Sequence, residues 1–255
     1  MLNKLIPFWT LIRLEIFRFL RLIKQTVFPP IITTILFILI FGYSLGSRIQ
    51  EISGLPYIVF IVPGLIAMSV VNNSFINCIT AIYSSRFDRS IDNVLSSPLK
   101  PVEIVLAVVI GGIVRSFVIA VLIYGVAFLA LGIRIDHLGL ALLFFLGSST
   151  LFCSFGIVSG LRAESWDTLH TEETFIITPL VYLGGVFYSI HLLPPFWQKI
   201  SLFNPLFYLV DGFRYAMTGV SDISWQHSLA VTWGLALLFF AMCIYLFKVG
   251  YKLVK

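Results

Sequence analysis

Six stretches of the chain are apolar over a length that suits the hydrocarbon core of a bilayer, which takes about 20 residues of helix. They run over about 27–45, 57–83, 103–131, 138–161, 174–189 and 228–249. Ahead of the first, residues 7–24 alternate at helical period. Arg13, Arg21 and Lys24 share one side with Arg18 at its edge, and Phe8, Ile12, Ile16, Phe19 and Ile23 lie opposite. Such a helix lies in the membrane interface, either as an anchor to anionic lipid or also as a surface for a cytoplasmic partner. Between the second and third spans, residues 85–97 place Asp88 and Asp92 one turn apart, with Ile91, Val94 and Leu95 as a small apolar face. Pro98 and Pro101 end the pattern. It reads as a short charged helix, either solvated or docked on another subunit.

The fifth stretch behaves differently. It starts as a span at Thr174, contains Pro179, and passes a Pro194-Pro195-Phe196-Trp197 corner without becoming soluble. Residues 192–218 stay aromatic and close with Asp211 and Arg214 at i, i+3 spacing, where helix neighbours meet. This pattern predicts a re-entrant helical hairpin between the last two spans. Irregular backbone at that depth survives only where protein or a wet cavity satisfies it. The Asp211/Arg214 pair is then either structural or a gating contact.

Polar residues inside the spans are the candidate chemistry. Asn73, Asn77 and Thr80 form one stripe of the second span. They serve either interhelical hydrogen bonds or a wet pathway. Arg115 lies about 12 residues into the third span, roughly 18 Å deep at 1.5 Å per residue. A cation there must face protein or water; its partner is open between the polar residues of the second span and the carboxylates near the fifth. Ser149, Cys153, Gly156 and Gly160 make a small-residue stripe suited to close helix packing.

Composition narrows the class. Charged residues make up 11% of the 255 and apolar residues 59%, against about 25% charged in soluble domains; mean hydropathy is +1.00. Continuous rather than alternating apolar runs exclude a β-barrel. The expected fold is therefore an all-α polytopic membrane domain with six spans, occupying residues 1–255. The net charge of +5 follows from topology and gives no reason to expect nucleic acid as a partner. Twelve of the seventeen Lys and Arg fall in the N-terminal segment, the 81–103 and 161–173 loops and the C-terminus. Positive-inside placement puts both termini in the cytoplasm. Cys78, Cys153 and Cys243 lie within apolar runs, and the four histidines sit singly in loops. No metal site and no catalytic residues are expected.

Several short motifs recur in order. They are Phe28-Pro29-Pro30-Ile31-Ile32-Thr33, Phe41-Gly42 with Gly46-Ser47-Arg48-Ile49, and Phe60-Ile61-Val62-Pro63-Gly64-Leu65. Thr178-Pro179-Leu180 through Phe187-Tyr188-Ser189, Leu193-Pro194-Pro195-Phe196-Trp197-Gln198, and Asn204-Pro205 with Gly212-Phe213-Arg214-Tyr215 follow. Over nearly its whole length the chain resembles the permease subunits of ABC-2 type ABC transporters, among them drug, polysaccharide and lipo-oligosaccharide exporters. The resemblance implies an export pathway built from two permeases, most simply a homodimer, in the bacterial inner membrane and in contact with its lipids. Two cytoplasmic ATPase subunits would drive it. This chain carries no G-x-x-x-x-G-K-[ST] phosphate loop, so ATP and Mg would be bound by the separate ATPase.

The family's coupling helix maps to about Ser85–Ser97, giving Arg86, Asp88, Arg89, Asp92, Asn93 and Leu95 as ATPase-coupling candidates. The outer hairpin would be the gate, with Pro194, Pro195, Asn204, Pro205, Asp211 and Arg214. Asn73, Asn77, Tyr182 and Phe187 are the pathway candidates, and Arg115 is the intramembrane charge. An amphipathic, lipid-like or drug-like substrate suits an aromatic, modestly polar pathway. The competing reading is a secondary transporter or channel that works without ATP; the inverted repeats common in such proteins are not evident here.

Overall fold

In the computed structural model, which describes residues 2–45 and 51–253, helices account for most of the chain. Helix α1 (Leu2–Arg21) turns at Leu22 into α2 (Ile23–Phe37), which continues as wider π turns over Ile38–Leu45. A small hairpin, β1 (Glu51–Ile52) with β2 (Leu55–Pro56), reverses through Ser53 and Gly54, both at positive φ, as a two-residue hairpin turn requires. Then come α3 (Tyr57–Phe87), α4 (Ile91–Leu95), α5 (Pro101–Leu131), α6 (Leu138–Arg162) and α7 (Trp166–Glu172). A π turn over Glu173–Ile177 leads into α8 (Thr178–Tyr182), followed by α9 (Pro195–Phe203), α10 (Pro205–Thr218) and α11 (Trp225–Val249).

Among the described residues, five helical segments are long and apolar enough to cross a membrane: Ile23–Phe41, Tyr57–Phe87, Pro101–Leu131, Leu138–Arg162 and Trp225–Val249. The predicted span over 174–189 is not one helix. The chain is helical from Trp166 to Tyr182 and then turns, because Gly184 and Gly185 follow and Gly185 takes φ +74°, a conformation glycine adopts freely. The π turn ahead of Pro179 is the local answer to a residue with no N–H to give the ladder. The predicted end of the first span at Gly46-Ser47-Arg48 lies outside the described residues.

Helix α3 is the hub. Its most apolar window is 78% buried, against 17% for α2 and for α11 at the periphery. The small-residue stripe of α6 lies along α3. A Cβ on Gly156 would stand 2.6 Å from the Phe75 carbonyl oxygen, and one on Gly160 would stand 2.8 Å from that of Ile79. Backbone that close admits only glycine. The helix runs unbroken past Pro63, and Gly64 lets the Val186 backbone approach, with 2.9 Å from a Cβ to its oxygen.

Helix α1 is amphipathic as the pattern predicts, but protein covers part of its apolar face. Leu11, Ile12 and Phe19 are buried, while Trp9, Leu14 and Phe17 are exposed. Leu11 and Ile12 join a cluster with Ile82, Ile104 and Val108 at the ends of α3 and α5, and Glu15 packs on Gly111. Burial pushes the Glu15 carboxyl above the usual carboxylate range, and the Arg18 guanidinium partly opposes that.

Candidate functional site: a polar cleft beneath an aromatic cluster

One face of α2 and one face of α3 diverge around a cleft of about 300 Å³. From α2 come Thr26, Pro30, Thr33, Thr34 and Phe37, and from α3 Leu65, Ser69, Asn72, Asn73 and Ile76. Both sets recur at three- and four-residue steps, so each is a single helix face. Arg115 of α5 and Glu173 of the π turn complete the lining. Gln25, Thr26 and Glu173 mark the end nearer α1, and Phe37 and Leu65 the apolar end.

Beyond that apolar end the rings of Phe37, Phe41, Phe187 and Tyr182 gather. Phe187 lies 4.9 Å from Phe41, 5.5 Å from Phe37 and 6.2 Å from Tyr182, centroid to centroid. Such offset and tilted pairs are worth about 0.5–1.5 kcal/mol each beyond burial. The Tyr57 hydroxyl donates to the Phe187 carbonyl at 3.2 Å, fixing the turn that presents Phe187.

The pathway candidates therefore separate. Asn73 lines the cleft. Its amide nitrogen donates to the Ser69 carbonyl at 2.9 Å, which leaves its oxygen to accept from Arg115 Nη2 at 3.2 Å. That settles the open question of Arg115's hydrogen-bond partner in favour of the second span. Asn77 does not line the cleft; its backbone carbonyl accepts from Arg18 Nη2 at 3.0 Å. Tyr182 and Phe187 sit in the aromatic cluster. Thr33, Thr34 and Ser69 were not among the sequence candidates, and Glu173 entered only as one of the carboxylates near the fifth span. Ser69 extends the Asn73 stripe by one turn, and Thr33-Thr34 is a polar pair in the apolar run 27–41, so both left a signal.

The hairpin residues form a second polar group at the Tyr57 end of α3. Asn204 caps α10, its oxygen accepting from Leu206 N–H at 2.9 Å and its amide donating to the Leu180 carbonyl at 2.7 Å. Pro195 and Pro205 occupy first helical positions of α9 and α10, where a missing N–H costs little, and Pro194 precedes α9. Asp211 and Arg214 make no direct ion pair. Arg214 Nη2 donates to the Gly185 carbonyl at 2.6 Å, and its guanidinium carbon sits 3.8 Å from the Phe60 ring centroid. Asp211 accepts from the Asp222 N–H at 2.7 Å and the Ser228 hydroxyl at 3.3 Å. Asp222 in turn accepts from the Ser189 hydroxyl and the Ile190 N–H.

At the opposite end of α3, residues 85–97 do not form one helix. Helix α3 continues to Phe87, Arg89 turns at φ +56°, and α4 covers five residues. Asp88, Arg89, Asp92, Asn93 and Leu95 are exposed. Arg86 departs from that set: it is buried, and its Nη1 donates to the carbonyls of Gly160 at 2.8 Å and Ala163 at 3.1 Å. These are orphan acceptors at the end of α6, so Arg86 clamps two helices together. Beside them Trp166 meets the Tyr83 ring edge-on at 4.8 Å.

Comparison with known proteins agrees with this architecture. Residues 7–218 match the model of the ABC-2 type transporter family. The chain is 38% identical over 225 residues to the inner membrane transport permease YadH of Escherichia coli K12, covering 88% of this chain and 86% of that one. It is 27% identical over 183 residues to nodulation protein J of Rhizobium leguminosarum bv. viciae, covering 70% and 69%. A family match over most of the chain and a relative this similar over most of both lengths place the protein: it is an integral membrane protein that belongs to the ABC-2 type transporter family.

Proposed function

We propose that this chain is the inner-membrane permease subunit of an ATP-driven exporter. It takes an amphipathic, lipid-like or drug-like substrate from the cytoplasm or inner leaflet and releases it outside. The observation that carries the reading is the cleft. It is polar along α2 and α3, holds a deep cation, and ends against stacked aromatic rings rather than open water. In the inward-open state such a path admits substrate from the α1 side. The Phe37/Phe41/Phe187/Tyr182 cluster and the α9–α10 hairpin close the other side.

The segment Trp166–Tyr182, about 25 Å long at 1.5 Å per residue, supplies the sixth crossing together with the turn after it, and both termini are cytoplasmic. A second copy completes the pathway, and lipid covers the remaining apolar sides of α2 and α11. ATP and Mg are bound by a separate ATPase whose groove receives the Asp88–Leu95 segment through its exposed Asp88, Arg89, Asp92, Asn93 and Leu95, with α1 alongside. Closure of the ATPases rotates the permeases as rigid bodies and opens the hairpin gate.

Purification of the tagged protein in mild detergent tests this reading, comparing wild type with Asp88→Ala/Asp92→Ala. Both carboxylates are exposed, so thermal stability should stay within about 0.5 kcal/mol of wild type. An ATPase that co-purifies with wild type should be lost from the double variant. Transport that persists with no ATPase bound would leave the ATP-independent transporter standing instead.

A further inference from the structure

We propose that the cleft receives the anionic headgroup of an amphiphile, with the Arg115 guanidinium as its counter-charge. The inference rests on the export reading and narrows its substrate class.

A cation at mid-membrane costs about 2.5–3.5 kcal/mol on insertion scales, and the protein holds its other partly or fully buried arginines on internal partners. Arg18 pairs with Glu15 at 2.8 Å. Arg214 lies on the Phe60 face with Asp211 and Asp222 near enough to act on it. Arg86 holds two carbonyl oxygens. Arg115 has one hydrogen bond, to the neutral amide oxygen of Asn73, and its Nε has no partner among the described residues. It is 9% exposed, and it lines the cleft.

The one carboxylate in the lining, Glu173, is near enough to act on Arg115 through space but does not pair with it. Glu173 approaches His170 Nδ1 at 3.8 Å on its own helical segment, and no ion pair within 4 Å joins it to Arg115. A guanidinium with donors to spare matches a phosphate, sulfate or carboxylate in bidentate fashion. Thr33, Thr34 and Ser69 add hydroxyl donors around it. The cleft volume of about 300 Å³ stands at the small end of ligand pockets. A headgroup fills it, and the chains stay in the bilayer beside the exposed side of α2, where Phe28 and Ile32 point outward.

The shared chemistry is an oxyanion, carried either by an amphiphile or by a free ion, and titration of the purified permease without any ATPase separates the two. Native mass spectrometry in maltoside micelles would follow binding of dodecyl phosphate. Dodecyltrimethylammonium and inorganic phosphate serve as competitors.

Dodecyl phosphate should bind saturably, and Arg115→Gln should weaken it at least tenfold. Arg115→Lys should fall between, because lysine keeps the charge and loses the fork. Hundredfold inorganic phosphate should not displace the ligand. Equal binding by wild type and Arg115→Gln overturns the proposal, as does equal competition by the ammonium detergent. Displacement by inorganic phosphate overturns the amphiphile in favour of a free anion. If the Gln variant does not fold, the wild-type competition decides alone. Failure here leaves ATPase co-purification untouched, so the two readings fall separately.

Discussion

Arg214 donates to the Gly185 carbonyl at 2.6 Å, stacks on Phe60 and is 1% exposed, with two carboxylates at hand. Arg115, 9% exposed, donates to one amide oxygen at 3.2 Å and borders a cleft. Both leave some N–H groups without protein partners among the described residues, so unsatisfied donors alone do not tell the two apart. The difference lies in how much countercharge the fold supplies and in how closed the site is. At Arg214 the fold supplies it, and the cation joins the 185–190 turn, α10 and α3 into one polar knot. At Arg115 the fold supplies a neutral oxygen, one carboxylate that does not pair with it, and open volume. A buried charge that the protein balances is part of the architecture; one that it balances only in part, beside an open cleft, is available to a ligand.

The largest effect should follow from breaking the knot. Arg214→Gln removes the cation on which Asp211 and Asp222 act and leaves the Gly185 carbonyl short of its donor. Removing one side of a buried charge group costs about 3–5 kcal/mol, and loss of the cation–π contact is part of that. Thermal unfolding in detergent should show the loss, with substrate binding in the remaining folded protein unchanged. A stability near wild type would mean that Arg214 is as dispensable to the fold as Arg115, and the contrast would collapse.

A smaller loss should follow from the acidic side. Asp211→Asn keeps one oxygen to accept from Asp222 N–H or Ser228 but removes one of the two formal charges that act on Arg214, for about 1–3 kcal/mol. Combined with Arg214→Gln it should be less than additive, because the two groups share one network. Strict additivity in the double variant would show that Asp211 and Arg214 stabilise the hairpin independently.

The sequence carried the helices further than it carried these partnerships. Apolar runs locate the long helices, because hydrocarbon demands length and continuity. Spacing of i, i+3 brings Asp211 and Arg214 onto one side of α10, yet it does not choose among competing partners. Residues distant in sequence, Gly185, Asp222 and Ser228, take the hydrogen bonds. Arg86 looks like any charge in a polar loop until α6 ends against it. The stop at Tyr182 and the way Val186 settles on Gly64 depend on α3 being alongside. Asn73 and Arg115 each stood out as costly groups in hydrocarbon. Their meeting required the packing of α3 on α5, and the cleft beside them required α2 to lean away, which no local pattern encodes.

The smallest stability effect should come from Arg115→Gln, and that smallness is the sharper half of the comparison. Gln keeps a donor but not the reach of Arg115 Nη2, so the Asn73 contact weakens, and interhelical polar contacts in membranes average about 0.6 kcal/mol, reaching about 1.7. The charge it removes faces one carboxylate, Glu173, that does not pair with it within 4 Å, whereas two carboxylates, Asp211 and Asp222, act on Arg214. Thermal unfolding of the ligand-free protein should therefore shift by no more than about 1 kcal/mol, in either direction, since relief of a buried cation offsets the weaker hydrogen bond. Dodecyl phosphate supplies the contrast. It should raise the unfolding temperature of wild type, because a ligand of the folded state stabilises it by mass action, and leave Arg115→Gln nearly unmoved. A loss as large as that of Arg214→Gln, with no difference in response to the detergent anion, would make Arg115 a second structural knot and the cleft an incidental gap beside it.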